Sequence, residues 1–469
     1  MTFDRIIRGA TVVTGDDARV CDIGIADGRI AALALALDDK SAAVDDGRGL
    51  IALPGGIDSH VHISQPSGPG VVMADDFDSA TRAAAFGGNT TVMPFCLPAG
   101  NESLREAVAN YVALAKGNCH IDVAIHLIVK STDPVTLGQD LPALHAAGFT
   151  SFKVFMTYAG MALSDRQILE VLKVARELGA AVMVHAENED AIEYLRDEAE
   201  REGRTGPMMH ARTRPVPVER EATHRALSLA EIAGVPITIV HVSNGEALDE
   251  IRRARLRGQT VHAETCPQYL TLTADDLDRA GFEGAKYVCS PPPRDTAAQA
   301  ACWAGIELGD FDLYSSDHCP FRFADPRGKD APGARASFRN IPNGIPAIET
   351  RLPILFSEGV IKGRISLPHF ARITATNHAR LYGLAPRKGM IAVGADADIV
   401  LWDPTITRTI TQSHLHHGAD YTPWEGFAVT GWPVATYLRG TPLIRDGALV
   451  AEGRGGVVEC GQPDQRALP

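Results

Sequence analysis

Four histidines and an aspartate stand out because each follows a short apolar run of the kind that forms a buried strand. They are His60 and His62 in Asp58-Ser59-His60-Val61-His62, His185 in Val184-His185-Ala186-Glu187, His241 in Val240-His241-Val242-Ser243, and Asp317 in Ser315-Ser316-Asp317-His318-Cys319-Pro320. Imidazole and carboxylate bind divalent metals and carry protons. Side chains on a strand alternate with period two, so His60 and His62 point to the same side. One histidine after an apolar run reads as a satisfied core residue; four at corresponding ends of three strands read as a metal-ligand set. Among them, Asp317 suits a metal-bound or proton-transferring carboxylate better than a turn cap.

Lys153 sits in Thr150-Ser151-Phe152-Lys153-Val154-Phe155-Met156. An ammonium in such a run cannot stay charged and unpaired without large cost, so it is expected to be paired, neutral or modified. Three readings compete: a buried ion pair, a Schiff-base nucleophile, or an amine carboxylated by CO₂ into an anionic bridge between metals. Four neutral histidines and one aspartate leave two divalent cations short of negative charge, which favours the third reading over the second. His414-Leu415-His416-His417 resembles a metal cluster in composition but lies in the C-terminal region, away from the strand ends, and is not expected to hold a third metal. His318, directly after Asp317, is expected to face the other side of its strand, with at most a supporting role behind the ligands.

The elements that must position these groups follow from the hydrophobic pattern. Between about residues 56 and 385, strand-like runs at 57–63, 90–96, 121–129, 150–156, 180–186, 236–242, 259–265 and 312–317 alternate with longer amphipathic stretches. That alternation predicts an α/β fold of eight βα units, a closed (β/α)₈ barrel with catalytic groups at the C-terminal strand ends. Ser164 and Gln167 form a capping box ahead of ILEVLKVARELG, and Gly179 ends that helix. Both termini are β-rich, with hairpin signals at Asp27-Gly28 and Asp446-Gly447. The expected division is 1–54 and 386–469 as two parts of a small β-sandwich, and 55–385 as the catalytic barrel. The tail from 454 to 469 is expected to be mobile or to cover a neighbour.

Composition narrows the partner. The 469 residues carry 45 Lys and Arg against 58 Asp and Glu, a net charge of −13, which argues against a nucleic-acid or anionic-membrane partner, since either would call for a basic face. The longest apolar run, 30–37, is far below the ~20 residues of a membrane span. Eight scattered cysteines without a C-x-x-C pair, and an N-terminus without a signal-peptide pattern, point to a reducing cytoplasm and a small-molecule enzyme.

Ten segments together carry a family resemblance: PGGIDSHVH, DDFDSATRAAAFGG, SFKVFMTY, VHAEN, IVHVSNGEAL, AETCPQYL, SPPPR, SSDHCPF, IPNGIPAIE and GADADIVLWDP. The chain resembles the hydantoinase and dihydropyrimidinase branch of the cyclic amidohydrolases, from about residue 5 to 450. The resemblance implies a TIM-like barrel of the metal-dependent hydrolase type, a β-sandwich built from both termini, and a homotetramer or dimer. It implies two divalent metal ions, usually Zn²⁺, held by His60, His62, His185, His241 and Asp317 and bridged by a carboxylated Lys153 and a hydroxide. Tyr158 matches the tyrosine that donates to the oxyanion, and Ser290 and Asn343 match positions that grip the ring of the substrate, largely through backbone groups. The segment Ile63-Ser64-Gln65-Pro66-Ser67-Gly68-Pro69-Gly70 departs from the more apolar run typical of D-hydantoinases, which leaves ring size and substituent open.

The activity implied is hydrolysis of a cyclic ureide or imide, such as a dihydropyrimidine or a 5-substituted hydantoin, to the N-carbamoyl amino acid. Allantoinase, dihydroorotase and cyclic-imide hydrolase are the rivals within the class. Tyr158 with Ser290-Pro-Pro-Pro-Arg favours the hydantoinase branch, since a dihydroorotase needs a cation for its substrate carboxylate. Outside the class stand a non-catalytic scaffold, opposed by six occupied ligand positions, and a Schiff-base lyase using Lys153.

Overall fold

A computed structural model describes residues 2–15, 17–452, 455–466 and 468 of the chain. Eight consecutive parallel strand positions follow one another around a barrel: Gly56–Val61, Asn89–Cys96, a third split into Asp122–Val123 and His126–Ile128, then Ser151–Phe155, Ala181–His185, Ile237–Ile239, Val261–Thr265 and Leu313–Tyr314. The ring closes through the bridge of Val61 with His318, where His62 N–H donates to the His318 carbonyl at 2.7 Å. The sixth and eighth strands are shorter than the apolar runs that mark them. Just beyond them His241 and Asp317 turn to φ 41° and 50°, outside the extended region.

Strand alternation sorts the side chains. On Ser151–Phe155, Phe152 and Val154 pack outward among the surrounding helices, while Phe155 joins the barrel interior with Ile57, Met93, Ile128, Met183 and Leu313. Lys153 shares the inward set and pairs in register with Met183. The interior is closed below by Leu381 and Tyr382, at the end of the helix Asn377–Leu381. The helix Asp165–Leu178 has the expected ends, a Ser164–Gln167 capping box and Gly179 at φ 75°.

Strands from both termini share a second sheet of nine strands. Ile51–Pro54 pairs with Arg5–Val13 on one side and Ile399–Thr409 on the other, so it joins a block of N-terminal strands to a block of C-terminal strands in one sheet. A strand at Ala43–Asp46, which the polar sequence hides, pairs with Arg5–Val13. Described parts of the C-terminal tail pack on this chain's own barrel. Val123 N–H donates to the Gly456 carbonyl and Gln462 Nε2 to the Gly179 carbonyl, so the tail crosses the N-terminal side of this chain's own barrel. Residues 454, 467 and 469 of that tail lie outside the described residues. Among the described residues, no helix is long and apolar enough to cross a membrane.

Candidate active site

The strand ends bring His60, His62 and Asp317 together. His60 is buried, and its Nδ1 faces Glu264 Oε1 at 2.7 Å; His62 Nδ1 faces Gln65 Oε1 at 2.8 Å. An acceptor on Nδ1 holds the proton there and leaves the Nε2 lone pair free. Both Nε2 atoms converge on Asp317 Oδ1, at 3.2 and 3.4 Å. Ligands of a tetrahedral zinc-class ion, at bonds of about 2.0–2.1 Å, stand about 3.3 Å from one another. These three side chains match that spacing, and their ligand atoms all lie within 4.8 Å of one another.

A second pair abuts the first. His185 Nε2 is held by Glu187 Oε2 at 2.8 Å, which turns its Nδ1 toward His241 Nε2, 2.9 Å away. The His60 and His241 ring centroids are 5.3 Å apart, so the two sets are contiguous. Lys153 is 1% exposed, its Nζ has no hydrogen-bond partner, and it lies 5.1 and 5.3 Å from the ring centroids of Phe95 and Phe155. Burial lowers this amine to about 8 despite the carboxylates of Glu264 and Asp317. An orphaned buried amine beside these imidazoles is costly as it stands.

Electrostatics agrees with ligation. Burial pushes His60, His185 and His241 below the ordinary histidine value, so their lone pairs are free near neutral pH. Burial opposes ionisation of Asp317, but His60 and His62 outweigh it and hold the carboxyl below its usual value. By contrast, His126 engages Ser151 Oγ and the Ser59 carbonyl, and His378 engages Ser59 Oγ and the Ile373 carbonyl. Those two are core histidines with both nitrogens satisfied.

Three of the grouped residues are held in the left-handed region: Tyr158 at φ 78°, His241 at 41° and Asp317 at 50°. For non-glycine residues this costs about 1–3 kcal/mol each unless the surroundings enforce it. Tyr158 N–H donates to Glu189 Oε2 at 2.7 Å, and the Thr157 hydroxyl donates to the same carboxylate. His241 N–H donates to Glu264 Oε1 at 3.1 Å. Tyr158 is half-buried and stands edge-on to His185, 5.1 Å between ring centroids. Burial raises its phenol above the ordinary value, so it remains a proton donor.

All nine residues singled out from the sequence line one cavity of about 670 Å³: His60, His62, Lys153, Tyr158, His185, His241, Ser290, Asp317 and Asn343. Ser290 Oγ is tied to His210 Nε2 at 3.1 Å. The 63–70 segment contributes Gln65 to Gly68 to the wall. The supporting carboxylates were missed in the sequence reading. Glu187 lies two residues beyond His185 and Glu264 inside a barrel strand, signals that could have been read; Gln65, in an irregular loop, gave none. His318 turns to Asp75, Nε2 to Oδ2 at 3.2 Å. The 414–417 histidines are not remote, as their sequence position suggested. His417 packs against His318 with centroids 6.3 Å apart, and His416 pairs with Glu349 at 2.9 Å. They lie in the connection between the strands Ile399–Thr409 and Ala428–Leu438 of the second sheet.

Comparison with known proteins extends this geometry. The model of the amidohydrolase family matches residues 51–443. The D-hydantoinase of Geobacillus stearothermophilus is 46% identical over 451 residues, covering 96% of this chain and 94% of that protein. The D-hydantoinase of Rhizobium radiobacter is 45% identical over 450 residues, covering 96% of each. The crystal structure of dihydropyrimidinase from Brevibacillus agri NCHU1002 superposes with a TM-score of 0.95 at 43% identity, covering 99% of this chain and all of that one. Matches of this length span the barrel and both terminal β segments, and with them the chain belongs to the amidohydrolase family, in the branch of the hydantoinases and dihydropyrimidinases.

Proposed function

We propose that this protein hydrolyses the cyclic amide bond of a dihydropyrimidine or a 5-substituted hydantoin, releasing the N-carbamoyl amino acid. The observation that carries the reading is the orphaned Lys153 amine set between two facing ligand groups. His60, His62 and Asp317 would hold one divalent cation and His185 and His241 another, with Lys153 bridging them after its amine loses a proton and forms an N–C bond to CO₂. Two such ions, when bound, would supply a hydroxide at neutral pH and polarise a carbonyl, and zinc is among the ions these nitrogen and oxygen donors suit.

The chain's own groups do the rest. Asp317, ionised and within 3.4 Å of both imidazoles, accepts the proton of the attacking water and returns it to the departing ring nitrogen. The Tyr158 hydroxyl donates to the oxygen on which charge develops, a contribution worth about 2.7–4 kcal/mol in comparable sites. Backbone groups at Ser290 and Asn343 hold the ureide or imide edge. Other than Lys153, the Lys or Arg lining the cavity is Arg339, engaged by Glu193, by Asp197 at 2.6 Å and by Glu200 at 3.0 Å. A cation so occupied is a poor receptor for a free substrate carboxylate, which disfavours a dihydroorotase.

We read residues 1–54 and 386–469 as one small domain on the 55–385 barrel, and the protein as a cytoplasmic homotetramer or dimer. The eight cysteines, all free, support a reducing compartment. The test is ring opening by metal-loaded protein on dihydrouracil, plain and 5-aryl hydantoins, allantoin, dihydroorotate and succinimide. Turnover is expected on dihydrouracil or the hydantoins; turnover confined to any of the others would replace this substrate class.

A further inference from the structure

One buried cation is unused by the chemistry above. Lys329 is fully buried, and its Nζ donates to two backbone carbonyls, Val288 at 2.8 Å and Pro342 at 2.6 Å. No ion pair among the described residues includes it, so an amine without a counter-ion is held by those two oxygens beside the Phe321 ring, 6.0 Å to its centroid. Burial of such a group is costly unless its hydrogen bonds are well made. Val288 precedes Ser290 by two residues, and Pro342 precedes Asn343. The two segments that carry the ring-gripping positions therefore meet at one nitrogen.

The surrounding backbone strengthens the tie. Gly344 N–H donates to the same Val288 carbonyl at 2.9 Å, and Gly344 at φ 142° leaves no room for a Cβ against Cys319. Lys329 is fixed from behind by its own N–H, which donates to the Arg322 carbonyl at 2.8 Å. We infer that Lys329 is a positioning residue that sets the gap between the Ser290 and Asn343 walls of the cavity and so the fit of the ring between them. Burial lowers its amine to about 7, yet a neutral amine still has two N–H donors for two carbonyls.

This inference rests on the reading that Ser290 and Asn343 grip the ring, and it separates from the metal chemistry because Lys329 touches no ligand. The test is steady-state ring opening by Lys329→Met and Lys329→Gln on the best substrate of the wild type, with metal content and amide exchange measured alongside. The expected result is a KM raised about tenfold or more with kcat within about threefold, full metal, and faster exchange of the Gly344 amide. Unchanged KM would overturn the inference, as would a fall in kcat and metal content at constant KM. Failure of both variants to fold would assign Lys329 to stability alone and overturn it equally. If the wild type opens no ring at all, the proposed function fails; an active wild type with unaffected variants sinks only the role of Lys329.

Discussion

At the scale of single residues, the proposed centre divides into groups that would hold metal and groups that would move protons, and Asp317 belongs to both. Asp317→Asn keeps an oxygen donor but cannot take a proton. Turnover is expected to fall about 10²–10⁴-fold with metal content largely retained, measured by kcat beside elemental analysis; near-normal turnover would remove the shuttle role. Lys153→Ala is expected to lose metal and activity together, since the proposed bridge would have no other source. Short carboxylic acids supplied in solution should restore part of the activity by taking the vacated position. A fully metallated, active Lys153→Ala protein would show that the lysine is a buried amine and no more.

At the scale of elements, the barrel strands stop where the ligands must turn. Tyr158 stands in the left-handed region immediately after the fourth strand, anchored by Glu189 at the start of the helix Glu189–Arg201. Removing that acceptor frees a conformation that costs about 1–3 kcal/mol, and each 1.4 kcal/mol is a factor of ten in population. Glu189→Ala is therefore expected to lower kcat by about tenfold or more with metal retained. Glu189→Gln, which keeps one carbonyl oxygen, should be milder. Equal kcat in Glu189→Ala and wild type would show that the turn holds without this anchor.

At the scale of the whole molecule, the barrel and the nine-stranded sheet are joined by a buried charge cluster. Lys388 Nζ meets Asp398 at 2.5 Å, Asp122 at 2.7 Å and Asp396 at 3.5 Å, all largely buried. Asp122 begins the third barrel strand and Asp398 adjoins the strand Ile399–Thr409. Lys388→Met leaves the buried Asp398 without its cation, while Asp122 keeps Arg439 and Asp396 keeps Arg387, and a loss of about 3–5 kcal/mol is expected in chemical denaturation. Burial opposes the charge on Lys388, but Asp398 and Asp122 outweigh it and raise its pKa. The folded value thus lies above the unfolded one, so the contribution is complete below about pH 10.4 and is lost as pH rises through the folded pKa. A Lys388→Met protein as stable as wild type at pH 7 would contradict this account of the junction.

Much of this was legible before any coordinates, and for definite reasons. Eight apolar runs at helix-spaced intervals identify eight barrel strands because each strand must bury both faces, a requirement written locally. His60, His62, His185, His241 and Asp317 were findable because a barrel puts strand ends on one rim, so sequence position translates directly into space. Lys153 was conspicuous because a charge in an apolar run conflicts with its neighbours at the level of the chain itself. The strand Ala43–Asp46 stayed hidden because it is mostly exposed and carries no periodic apolar signal. Gln65, Glu189 and Lys329 acquire meaning only from partners brought close by folding. The sequence by itself determined which residue types stand at the rim, since burial and alternation are local rules. Only the tertiary structure decided which nitrogen each imidazole presents and how far apart the segments carrying Ser290 and Asn343 stand, because both depend on hydrogen bonds between residues as much as 204 positions apart.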